Sequence, residues 1–372
     1  MLKTFRTSES YEDSLSVDNS IHVNQSTFLY NSKDFVLEKV EDKKRILLLV
    51  DTYDWCFFNI ASRIKKEFKE YTFDILTNVD FYNNMTKIMR NPYNIYVFFY
   101  PSYNFNENQL KYIQNMGKYK YNKKSNIFWC MYDNFTWRIK TDYNGSRLNF
   151  VRQTMARWMN NCDGYFWGSP KIRDNMYDTF KIIKPNASCM DGVDTKIFNY
   201  KDYDEDILTK KKLKIGWIGN SDINQSGIQK GYKEIKKYVT DLSANFEFCP
   251  LDRVIKLIPH NEVPNYIHNI DIIVCYSTCE GTPNQILEGS SCGRCWVATD
   301  VGVVSSLYNT IENNPTGIII KKNEKSFKDA LMKLYNNREL LREYGKNGRK
   351  AIEKKWDWTY RLEGFKRIFE QF

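Results

Sequence analysis

Histidine is scarce: His22, His260 and His268 are the only three in 372 residues. The nine cysteines are scattered and make no disulfide framework, which favours a reducing cytosol. Cys292-Gly-Arg-Cys295 has CxxC spacing, but no second CxxC exists and no histidine stands near, so no metal site is expected there. There is no run of eighteen or more apolar residues, so no membrane span is expected, and no apolar stretch near Met1 to suggest a secretory signal. The sequence Gly216-Trp-Ile-Gly219 is not followed by a GxGxxG, which argues against a nicotinamide enzyme. Long Arg-rich blocks are absent as well, and the alternating Asp202, Asp204 and Asp206 lack the apolar strand that a metal-binding D-x-D would follow.

What the chain does have is apolar and basic. Hydrophobic residues make up 42% and aromatics 16%, ample for packed cores, and the length favours two domains. Net charge is +10, spread along the chain. A solvated mixed-charge surface accounts for much of that; the rest suits a phosphorylated ligand or a lipid-linked one, with nucleic acid not expected as a partner.

Residues 1–42 carry little periodicity and read as a polar extension. From Arg45 the pattern alternates. Apolar runs at 45–51, 71–77, 94–100 and 125–133 predict strands, with helical spacing at 55–68, 106–116 and 155–164 between and after them. A short strand at 164–169 and a helix at 170–180 follow. The polar stretch 200–212 is the best boundary. Beyond it, strands are expected at 213–220, 246–258 (one or two), 271–277, 295–299 and 317–322, and helices at 231–242 and 326–336. Strand and helix in alternation imply an α/β fold of two Rossmann-like halves with parallel sheets, whose strand ends face one another across a cleft.

The stretch from Asp271 to Asp300 carries the most chemistry. Thr282 has the character of a helix N-cap, Pro283 of a first helical residue, and Gln285 would complete a capping box. A helix start with free N–H groups suits phosphate. Glu280 and Glu288 stand on either side of it, and an ionised carboxylate can accept from two neighbouring hydroxyls. Phosphate beside a polyol describes a nucleotide sugar.

The second half resembles the GT-B glycosyltransferases of the large retaining group called family 4, the glycosyl transferases group 1. Glu280-Gly-Thr-Pro-Asn-Gln-Ile-Leu-Glu288 is similar to their E-x7-E element, within a run like their "A-C-G" and "V-A-T-D-V-G" turns. Residues 185–200 resemble their interdomain segment, 215–235 their first donor strand with its Lys-Gly, and 339–358 their C-terminal helices. The resemblance implies a GT-B fold. Its expected parts are an N-terminal acceptor domain at 43–198, a linker at 199–212, a donor domain at 213–355 and a C-terminal helix at 356–372 packing back on the first domain. It implies that Glu288 holds the ribose and Glu280 contacts the transferred sugar. Gly281, Thr282, Pro283 and Asn284 would meet sugar or phosphate, Lys230 would neutralise the diphosphate beside Gly219, and the loop of His260 would lie near the base.

Asn220 stands where the family often has arginine, which shifts the diphosphate onto Lys230. No histidine matches the one often found in the first domain; Asp133 is the candidate substitute, with Thr52 and Trp55 on the acceptor side.

The expected function is a cytoplasmic, retaining, metal-independent hexosyl-type transferase (EC 2.4), with no cofactor beyond the nucleoside-diphosphate sugar that is its substrate. The acceptor would be a glycan, a lipid-linked sugar or a protein, with transient contact at a membrane surface. An epimerase or sugar phosphorylase of the same fold is the enzymatic alternative, and a basic α/β binding protein the nonenzymatic one.

Overall fold

A computed structural model describes residues 43–53, 56–99, 105–132, 145–180, 183–222 and 229–372, as backbone alone at 145–152 and 176–180. The 1–42 segment, Trp55 and Asp133 lie outside the described residues.

Two sheets form, each parallel throughout. The first contains β1 (Arg45–Val50), β2 (Thr72–Thr77), β3 (Ile95–Phe98), β4 (Asn126–Met131), β5 (Gly164–Trp167) and β6 (Asn186–Ser188), in the order β2-β1-β3-β4-β5-β6. The second contains β7 (Leu213–Gly219), β8 (Phe246–Asp252), β9 (Ile272–Cys275), β10 (Cys295–Thr299) and β11 (Ile318–Ile320), in the order β11-β10-β9-β7-β8. Parallel neighbours need crossover connections, and helices fill them, so the sheets are covered on both faces. That is why the strands read as unbroken apolar runs: every residue of β1 and β9 is buried. In β9 the alternate residues divide between two cores. Ile272 and Val274 pack with Trp217, Ile235 and Leu331, whereas Ile273 and Cys275 pack with Ile286, Trp296 and Trp356.

Strand order reverses between β1 and β3 in the first lobe and between β7 and β9 in the second. At such a reversal the connections leave in opposite directions and open a crevice at the strands' carboxyl ends. The end of the chain returns to the first lobe. Phe365, Ile368 and Phe369 of the Glu363–Gln371 helix are buried against Ile46, Leu48, Phe73 and Phe166. Helix and β6 meet so closely that a Cβ on Gly364 would stand 2.0 Å from the Ser188 carbonyl oxygen.

The apolar 246–258 stretch holds one strand, within the one or two expected, because Asp252 O accepts from Ile255 N and Lys256 N and turns the chain. Other expectations need correction. The helix expected at 155 begins at Gly145. The short β6 and the helices Asn78–Asn83 and Met85–Arg90 were not foreseen; Asn-Ala-Ser offers no apolar run to signal a strand. The 200–212 stretch is more than a polar tether: Tyr203 and Ile207 are buried, and Tyr203 Oη donates to Asp271 O at 2.7 Å. Asp202 and Asp204 pair with the exposed Lys346 and Lys201, as a solvated run would.

Candidate donor site between the lobes

The residues expected on the donor side converge at the carboxyl ends of β7 and β9. Gly219 ends β7, and a Cβ there would meet the Trp217 ring at 2.6 Å and Lys230 Cδ at 3.1 Å. Its missing side chain therefore leaves room for Lys230 to lie across the strand end. The backbone next to Lys230 is pinned to the β9 loop: Thr278 N donates to Gln229 O at 2.8 Å, and Gln229 Nε2 to Cys279 O at 2.7 Å. Gly231 has φ 65° and packs on Tyr276, where an added Cβ would lie 2.6 Å from the ring.

These constraints bring Lys230 Nζ to 2.8 Å from Glu280 Oε1. Ser277 Oγ donates to the same oxygen at 2.8 Å. Burial is the largest single effect and works to lower the Lys230 ammonium, but the Glu280 charge, its hydrogen bond and the neighbouring Cys275 and Cys56 together hold the group above its ordinary range. Asn220, the next residue after Gly219, accepts from Asp222 N at 2.8 Å and so shapes the turn.

The helix at the centre runs Asn284–Ser291, and its start differs from expectation. Pro283 is the capping residue and supplies no side-chain cap. Thr282 turns its hydroxyl elsewhere: Oγ1 donates to Gly168 O at 3.1 Å and accepts from Asp191 N at 3.2 Å. The capping box does not form, because Thr282 is occupied in joining the lobes; Gln285 Nε2 has no hydrogen bond. The first N–H groups of the helix thus receive no side-chain cap, as an anion site requires. Glu288, one turn below Asn284, projects from the same face. Its Oε1 lies 2.9 Å from His260 Nε2. That hydrogen bond raises the imidazole above its ordinary range, against the opposing effect of burial.

The first lobe closes the site directly on the glutamate loop. A Cβ on Gly281 would lie 2.4 Å from the Tyr132 carbonyl oxygen, just beyond β4. Lys171 of the first lobe pairs with Asp300 of the second at 2.6 Å. At the β1 end, Thr52 is exposed and its N–H donates to Asp51 Oδ1 at 2.8 Å. Burial raises the Asp51 carboxyl, while Arg253 from the second lobe favours its charge. The β1 crevice therefore faces the loop after β8.

Three residues of this seam were not singled out from sequence: Tyr132, Asp191 and Arg253. Asp191 had a signal, an acid set in the apolar context Cys189-Met-Asp-Gly-Val193. It is 5% exposed, and burial pushes its carboxyl up to about 7.

Residues 227–351 match the family described as Glycosyl transferases group 1. Among curated proteins, the uncharacterized glycosyltransferase MJ1178 from Methanocaldococcus jannaschii is 29% identical over 112 residues, 30% of this chain. The match spans about a third of that relative's length (31%). Among solved structures, a sucrose-phosphate synthase from Thermosynechococcus elongatus superposes with a TM-score of 0.63 at 11% identity, over 88% of this chain and 99% of that one. HepE from Anabaena, crystallised with UDP and glucose, gives 0.58 at 11% identity, over 89% of this chain and 100% of that one. At these identities the superpositions speak to fold alone. The chain is a two-lobed protein of the GT-B glycosyltransferase fold, and residues 227–351 of its second lobe match the family described as Glycosyl transferases group 1.

Proposed function

We propose that the protein is a retaining, metal-independent glycosyltransferase that moves a hexosyl group from a nucleoside-diphosphate sugar to a glycan, lipid-linked or protein acceptor. The observation that carries this reading is the cation–carboxylate pair Lys230–Glu280 at an uncapped helix start, one turn from Glu288. Glu288 can exchange His260 for the two ribose hydroxyls, because a carboxylate accepts from both at once. Lys230 and the N–H groups of Asn284 and Gln285 supply positive potential where charge grows on the leaving diphosphate. Glu280, once Lys230 turns to the diphosphate, is left to accept from hydroxyls of the transferred sugar.

In the transfer step the bond from the anomeric carbon to phosphate oxygen breaks as the bond to the acceptor oxygen forms. The acceptor's proton passes to the departing phosphate on the same face, which preserves configuration. Contact between Gly281 and Tyr132 keeps water from that carbon. The acceptor enters from the β1 and β3 ends, past Thr52. The complex of HepE with UDP and glucose supports the choice of a nucleotide sugar. A cytoplasmic place, with transient contact at a membrane surface, completes the proposal; no helix among the described residues is long and apolar enough to cross a membrane.

A thermal-shift panel of nucleotide sugars, run with and without divalent metal, tests it. A rise in Tm with one donor that is unchanged by metal is expected. No shift with any donor, or one that needs metal, contradicts it.

A further inference from the structure

Asp191 lies where three parts of the molecule meet. Its N–H donates to Thr282 Oγ1 at the second lobe's central helix. Its side chain stands beside Asn284 and Glu288 of that helix and beside Tyr132 of the first lobe. The residue is 5% exposed, and three buried oxygens in this small volume have no hydrogen bond of normal geometry: Asp191 Oδ1, Tyr132 Oη and Asn284 Oδ1. A buried carboxylate without firm hydrogen bonds is costly, and such a group tends to carry a proton instead.

The groups around Asp191 set a near balance. Burial and the Glu288 charge push its carboxyl up to about 7, while the Asn284 amide and the Tyr132 hydroxyl favour ionisation. Cys56 from the first helix and Cys130 from β4 also face it, and Cys189 stands beside Tyr132 from Asp191's own segment; burial holds the Cys56 and Cys130 thiols protonated. The balance is therefore decided by whatever negative charge arrives at the helix start. A diphosphate seated there would place its charge next to Asn284, within reach of Asp191, and like charge disfavours the carboxylate.

We propose that Asp191 is a positioning residue of the donor site that takes up a proton when a nucleoside diphosphate binds, tying the start of the Asn284–Ser291 helix to the first lobe. This rests on the glycosyltransferase reading above. Protonated Asp191 gains an O–H donor for the unpartnered oxygens around it and stops repelling Glu288, which is then free to hold the ribose. Ionised Asp191 would push against both the ligand and Glu288.

Titration calorimetry with UDP, at about pH 7 in buffers of different protonation enthalpy, reads the proton directly. His260 opposes the signal, since it loses its partner when Glu288 turns to the ribose and then releases a proton. The His260→Gln protein should therefore bind UDP with net proton uptake. Adding Asp191→Asn, which keeps the shape and removes the titration, should abolish the uptake. Heat independent of buffer in His260→Gln overturns the inference without touching Asp191 at all, as does uptake that survives in the double variant. A wild-type protein that gives no heat with UDP or with any other nucleoside diphosphate overturns the nucleotide-sugar reading and the inference together.

Discussion

Lys230 Nζ stands 2.8 Å from Glu280 Oε1, an oxygen that also receives the Ser277 hydroxyl. Under the proposed function the lysine leaves this acid when a diphosphate arrives, and Ser277 remains to stabilise it. Lys230→Ala should lower kcat by about 100-fold, the scale of one lost charge-stabilising donor, and Ser277→Ala by much less. Steady-state rates of nucleoside-diphosphate release compare the two; equal effects would contradict the assignment.

His260 predicts a pH dependence in donor binding. Its pKa is raised by Glu288, so the ion pair is intact below the ordinary imidazole range and lost as pH rises through the raised value. Under the proposed function the pair competes with the ribose. Donor KM should therefore fall as pH rises through this window, and His260→Gln should remove that acid limb. The pair's exposed histidine makes its stability share small and salt-sensitive.

Asp191 predicts the opposite trend for folding. Its folded pKa of about 7 exceeds the ordinary 3.8, so the folded state holds the proton more tightly than the unfolded chain. Stability is lost as pH climbs between those two values and levels off above them. Asp191→Asn should leave Tm near the wild-type value at about pH 4 and raise it at about pH 8. The gain there is up to ~4 kcal/mol, the free energy that separates a carboxyl at about 7 from one at 3.8. Differential scanning calorimetry at the two pH values checks this; a Tm difference that does not grow with pH would contradict it.

Gly281 is a contact point between the lobes as well as part of the loop. A methyl group there meets the Tyr132 carbonyl oxygen at 2.4 Å, and the atoms it meets are backbone, so something must shift. Gly281→Ala should cost about 1–3 kcal/mol in stability and raise water-driven hydrolysis relative to transfer. Denaturant melts and a hydrolysis-to-transfer ratio measure the two effects.

The parallel architecture was legible because strands buried on both faces must be apolar throughout, as in Ile46–Val50 and Ile272–Cys275. That Lys230, Glu280 and the helix start would come together was legible for a related reason: a glycine under a lysine, and two acids flanking a helix start, are local patterns. The seam was harder to read. Thr282 looks like a cap in sequence, but its hydroxyl serves Gly168, 114 residues away, and Asp191. Tyr132 enters the site through its carbonyl, which no side-chain pattern can signal. Tyr203 and Ile207 were lost in a polar stretch because two buried residues among charges make no period.

The central claim is that the Glu280–Glu288 loop and Lys230 form a nucleotide-sugar site. It is tested most directly by nucleoside-diphosphate release from a panel of nucleotide sugars, comparing wild type with Lys230→Ala and Glu288→Ala. The account predicts release by the wild type from at least one donor, and a loss of about 100-fold or more in both variants. Full rates in both variants would contradict it.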